Sequence, residues 1–182
     1  MSEMKENQRR QLHKTLVHMI VFSMFGAMMF CSTLIMEGLP NIHPLAMFII
    51  VLTVVYREGA LIPLYIYVIL SGLRWGFGLA WVPYIYIWLP LWGAVMLLPR
   101  TLPIKWRAVI YPTIAVLHGL LFGILYAPAQ ALLFGLNFRQ TVSWVAMGFA
   151  YDLLHAVGNG VIGLLALPLS ELLLKLENKY AR

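Results

Sequence analysis

The chain has 182 residues, 62% of them apolar and only 11% charged, with a net charge of +6 and a mean hydropathy of +0.83. A soluble domain runs nearer half apolar and a quarter charged, so this composition excludes an ordinary water-soluble fold and points to an integral membrane protein. A single cysteine, Cys31, excludes an internal disulfide and a multi-cysteine zinc site, and the basic residues fall in short clusters between apolar runs, which argues against nucleic acid.

A helix needs about 20 apolar residues to cross the hydrocarbon core, and the chain has room for about six. The expectation is therefore an all-α six-helix bundle, one transmembrane domain over residues 1–182. Residues 1–14 are polar and read as a short amphipathic or frayed cytoplasmic lead. The first span follows over about 15–36, too long for a signal-peptide core and without a cleavage pattern after it. Cys31 lies within it and reads as a small buried side chain. Glu37-Gly38-Leu39-Pro40-Asn41 is turn chemistry. The second span covers about 42–56, closed by Arg57-Glu58-Gly59, and the third about 60–73. A loop over 74–80 leads to the fourth span, about 81–98. The proline-flanked turn 99–103 precedes the fifth, about 108–126. A longer, partly helical connection over 127–140 leads to the sixth, about 141–174.

Lysine and arginine set the orientation. Lys5, Arg9, Arg10, Lys14, Arg57, Arg100, Lys105, Arg107, Lys175, Lys179 and Arg182 fall on one side of this six-span scheme, and Arg74 and Arg139 on the other. The richer side is expected to be cytoplasmic, with both chain ends on it. Loops one, three and five then face outward.

Aromatic residues crowd the third loop and the start of span four: Trp75, Phe77, Trp81, Tyr84, Tyr86, Trp88 and Trp92. An interfacial belt accounts for aromatics at headgroup depth, but a belt belongs at both interfaces. The one-sided cluster suggests a ligand platform. Within span six, Asp152, His155 and Asn159 share one helical face by their spacing of three and four. Three readings stay open for this strip: a self-satisfied polar strip, a pocket lining, or a metal site. The last is short of ligands unless His118 or His43 comes near. No H-E-x-x-H, G-x-S-x-G or Walker motif occurs, so no enzyme activity is expected, and any ATP would be hydrolysed on other subunits. Small residues at a four-residue spacing, Ser23 with Ala27 and Gly119 with Gly123, mark close helix contacts, inside the bundle or with a partner.

The whole pattern resembles the substrate-binding S component of energy-coupling factor (ECF) vitamin importers. The resemblance rests on about 180 residues in six spans with both ends inside, and on Ser23 and Ala27 where the family has its docking motif. It rests also on the first loop Leu39-Pro40-Asn41-Ile42-His43-Pro44 and the last-span block from Tyr151 to Asn159 followed by Leu167-Pro168-Leu169. Two alanines are usual at the docking motif, and Ser23 departs from that.

The resemblance implies a plasma-membrane, multi-pass subunit that binds a vitamin near its outer face. It implies association with a transmembrane T subunit and two ATPase subunits, and no cofactor. The expected substrate-binding residues are Asn41, His43, Trp75, Tyr84, Tyr86, Trp88, Asp152, His155 and Asn159. The expected docking residues are Ser23 and Ala27. No histidine precedes His13, which disfavours a metal-ion S component. The aromatic wealth suits a large ring-bearing ligand, cobalamin first, with pantothenate or a pyrimidine precursor as alternatives. A solitary transporter and a subunit without a ligand are the other readings.

Overall fold

Lipid offers no partner for backbone N–H and C=O groups, so a chain this apolar must satisfy them internally, and helices do so within one segment. The computed structural model describes residues 2–39 and 41–180, with side chains for 6–9, 11–39 and 41–179. Pro40, Arg182 and the side chains of Lys5 and Arg10 lie outside the described residues.

The helices are α1 (Ser2–Ile35), α2 (Leu45–Tyr56), α3 (Leu61–Trp75), α4 (Leu89–Met96), α5 (Ile104–Leu120), α6 (Phe122–Phe134), α7 (Phe138–Gly163) and α8 (Ala166–Tyr180). Short 3-10 turns occupy Arg57–Ala60 and Val82–Ile85, and no strand occurs among the described residues. The expected all-α fold is observed. Four segments are long and apolar enough to cross a membrane: Glu6–Ile35, Leu45–Trp75, Ile104–Phe134 and Phe138–Gly163.

Contacts between distant residues show how the chain runs. His43, just before α2, and Trp75, at the end of α3, line one cleft. Trp75 Nε1 donates to Glu37 Oε1, just past α1, at 3.2 Å. At the other end, Arg57 donates to the Met96 carbonyl of α4. There the Tyr56 hydroxyl donates to Glu177 Oε2 of α8 at 3.0 Å, and His18 of α1 lies 2.6 Å from Glu177 Oε1. The segment Leu45–Trp75 therefore doubles back at Arg57, a non-glycine residue at φ +56°. Among the described residues the chain runs between the two ends six times, with Tyr126 of α6 bonding Ala80, Asn41 bonding Tyr151 of α7, and Arg107 pairing with Glu171 of α8. The passes α2 and α3 measure only about 18 and 22 Å at 1.5 Å per residue, short of the ~30 Å hydrocarbon core. One end gathers Arg57, Arg100 and Arg107, with Glu171 paired to Arg107; Arg74 lies at the opposite end, 4.0 Å from Glu37.

Several boundaries differ from the sequence expectation. Residues 2–14 contain no glycine or proline and are rich in helix formers, so they extend α1 rather than fray. The fourth span is broken, because Pro83 and Pro90 lack the donor that would let one helix run through. The fifth connection shrinks to three residues. The Ala- and Leu-rich stretch continues as α6 until Gly135 takes the left-handed conformation at φ +65°. Asn137 and Gln140 then open α7 with a reciprocal capping box, at 3.0 and 2.9 Å. The sixth span divides after Gly163, where Pro168 cannot donate to the Leu164 carbonyl one turn back.

The core centres on α2, whose Leu45, Ile50 and Leu52 are fully enclosed. Helices α5 and α7 touch backbone to backbone at Gly119. An added Cβ there would stand 2.7 Å from Ala156 Cα. The Gly119–Gly123 pair thus serves internal packing. Ser23 and Ala27 instead face outward on α1, and the helix contact to α3 is made through Gly26 against Ile66. Cys31 is exposed, not buried, because it too lies on the outward side of α1.

Candidate functional site

At the aromatic end, residues 36–39 and 41–44 lie beside the cleft, and Asn41 reaches α7. Asn41 adopts φ +56°, which asparagine tolerates, and its Nδ2 donates to the Tyr151 carbonyl of α7 at 3.3 Å. This loop, α3 and the segment before α4 enclose a cleft of about 340 Å³, whose polar and aromatic lining comes from Glu37, Asn41, His43, Tyr67, Trp75 and Tyr84. The Trp75 indole is fixed by Glu37, which faces Arg74 at 4.0 Å. Ring faces and hydrogen-bonding groups therefore converge on one space.

His43 forms the wall between this cleft and a buried cluster. Its ring lies 5.0 Å from His155 and 6.0 Å from Trp88. Trp88 stacks on His118 at 5.4 Å, and Phe122 packs on His155 at 4.7 Å. His118 reaches the Ile87 carbonyl through Nε2 at 3.0 Å, and Asn159 Nδ2 donates to the Ala115 carbonyl at 3.1 Å.

Much of the cluster's polar capacity is unused. Both nitrogens of His155, Nδ1 of His43 and of His118, Trp88 Nε1 and Asn159 Oδ1 are buried without a hydrogen-bond partner. A neutral imidazole has one donor and one acceptor, and leaving such a group buried and unpaired costs about 1–3 kcal/mol. Six orphan atoms in one cluster are far more than packing alone explains, since buried polar groups are nearly always satisfied. Burial lowers the His43 pKa from 6.5 to about 4, aided by the nearby His118, so its ring is neutral at physiological pH. Among the described residues no group of three or more His, Cys, Asp or Glu is arranged to hold a metal ion.

Of the residues expected from the sequence, Asn41, His43, Trp75 and Tyr84 line the cleft itself. Trp88, His155 and Asn159 belong to the buried cluster, each at most 2% exposed. Two others serve packing. The Tyr86 hydroxyl donates to the Leu125 carbonyl at 2.9 Å, and Asp152 Oδ1 accepts the Gly123 amide at 3.1 Å. The self-satisfied reading of the α7 strip therefore describes Asp152 and fails for His155.

Three further residues join the site. His118 stands 6.3 Å from His155, a meeting that no sequence spacing encodes. Glu37 was legible as the acid of the first loop, and Tyr67 sits among apolar residues in α3 with nothing to mark it. No family model, curated protein or solved structure matches the chain.

Proposed function

We propose that the chain is a membrane-embedded substrate-binding subunit of the S-component type, taking a small ring-bearing vitamin or precursor into the cleft at its outer end. The observation that carries this reading is the cluster of orphan nitrogens and oxygens behind His43, next to an aromatic cleft. Buried polar atoms that the fold leaves unpaired suit a site completed by a ligand.

The size of the space favours the smaller candidates. A volume of about 340 Å³ is near the lower end of the roughly 300–1,000 Å³ of small-molecule sites. It suits one or two rings, as in a pyrimidine precursor, and not a corrinoid.

The interior supports a binding subunit over a solitary channel. Toward the basic end it is closed by Ile49, Leu52, Leu91 and Val95, none more than 2% exposed. The buried hydroxyls of Thr53 and Ser71 bond carbonyls of their own helices. The exposed Ser23–Ala27 face of α1 is free to meet a T subunit, with ATP hydrolysed on two further subunits. The basic end is read as cytoplasmic and all six passes as spans of the plasma membrane.

The test is purification without added ligand, then mass spectrometry of the small molecules released on denaturation. One ring-bearing compound at near-equimolar amount, which raises the unfolding temperature when returned to stripped protein, is the expected result. Protein that carries no such compound, and that no vitamin of a broad panel stabilises, refutes the proposal.

A further inference from the structure

A second cleft, of about 210 Å³, opens at the opposite, basic end. Its cationic lining comes from Arg57, Arg100 and Arg107, and its apolar wall includes Val54, Leu98 and Leu174. The three guanidinium groups come from separate turns: the reversal after α2, the loop after α4, and the first turn of α5. Folding alone brings them together.

The arginines are incompletely used by the protein. Arg57 spends one donor on the Met96 carbonyl. Arg107 pairs with Glu171 at 2.5 Å, yet its Nε is buried without a partner. Arg100 is exposed and has no acidic partner among the described residues. Three guanidinium groups thus face a single carboxylate. Glu58 is exposed and does not line the cleft, and Glu177 is taken by His18 and Tyr56. Guanidinium forks match phosphate oxygens bidentately. The apolar wall gives no reason for a free ion, but it suits the first carbons of acyl chains. Exposed Trp106, in the first turn of α5, is the kind of residue that sits at headgroup depth.

We propose that this cleft binds the phosphate of one anionic phospholipid headgroup from the leaflet at the basic end. Basic pockets between membrane helices recognise lipid headgroups in this way. The bound lipid would tie the turns before α3 and α5 to one another. The proposal is independent of the ligand at the aromatic end.

The test uses the full chain in nanodiscs of phosphatidylcholine with a minority of phosphatidylglycerol, released for native mass spectrometry. The expected result is one retained phosphatidylglycerol, preferred over phosphatidylcholine. Roughly fivefold of that preference is lost for each arginine removed, the effect of about 1 kcal/mol per charge at a membrane surface. Arg100→Gln removes an exposed side chain and leaves the fold untouched. Arg107→Gln combined with Glu171→Gln removes the ion pair without leaving a lone buried carboxylate.

Three outcomes overturn the proposal. One is equal retention of both lipids. Another is a preference unchanged in both variants. The third is displacement of the lipid by millimolar inorganic phosphate, which assigns the cleft to a free anion.

Discussion

His155 gives a test in which stability and binding move in opposite directions. Its ring is 1% exposed and neither nitrogen has a partner. Leucine has a similar volume and no polar atom, so His155→Leu removes the unsatisfied pair while still filling the space against Phe122. The ligand-free protein should gain about 1–3 kcal/mol, which raises the unfolding temperature by roughly 2–4 °C per kcal/mol. The same change deletes a hydrogen-bonding partner that the ligand would use. Affinity should drop about tenfold for a lost neutral hydrogen bond of ~1.4 kcal/mol. Thermal unfolding in detergent reads the first effect, and calorimetry with the compound recovered from the protein reads the second. A variant that unfolds at lower temperature and binds as tightly as the parent refutes the reasoning, because His155 would then be a structural residue.

Gly119→Ala should destabilise the bundle by about 1–3 kcal/mol, since the new Cβ meets the Ala156 backbone at 2.7 Å. Gly148→Ala, with nothing within 4 Å, should not, and thermal unfolding compares them. The His43 pKa is lowered from 6.5 to about 4, so the stability its neutral form provides is complete above pH 6.5 and lost as pH falls through that window. The loss should reach about 3 kcal/mol near pH 4, and His43→Gln should abolish that part of the acid sensitivity in pH-dependent unfolding. Ala27→Leu, on the outward face of α1, should leave the unfolding temperature and ligand affinity of the isolated chain unchanged. It should weaken co-purification with a T subunit, and equal loss of folding would place Ala27 in internal packing.

The fold class was legible because composition and the spacing of polar punctuation survive any detail of packing. Turn chemistry placed the reversals near residues 37–41, 57–59 and 99–103 within a few residues. The fourth span failed because hydropathy counts Pro83 and Pro90 as tolerable, whereas the backbone loses a donor at each. The fifth connection failed in the opposite sense: residues 127–140 read as a longer, partly helical connection, yet the alanines and leucines there carried α6 on to Gly135.

The site divides along the same line. Residues within one element, such as His155 and Asn159, were visible from helical periodicity. The approach of His43, His118 and His155 was not, since it depends on how three separate segments stack around α2. Asp152 drew attention as a polar group of the span-six strip and Tyr86 as a member of the aromatic cluster, and each proved to bond a backbone group of α6. Whether such a group is spare or spoken for is a property of the packed structure and not of the sequence.

The proposed function requires the cleft at the aromatic end to open outward and to hold the ligand. Leu39 lines that cleft and is half exposed, so a Leu39→Cys variant in a Cys31→Ser background places one thiol at its mouth. Intact cells are treated with a membrane-impermeant maleimide, with and without the compound recovered from the purified protein. The expected result is labelling in intact cells that the compound suppresses. Labelling only after lysis, or labelling that the compound leaves unchanged, would contradict it.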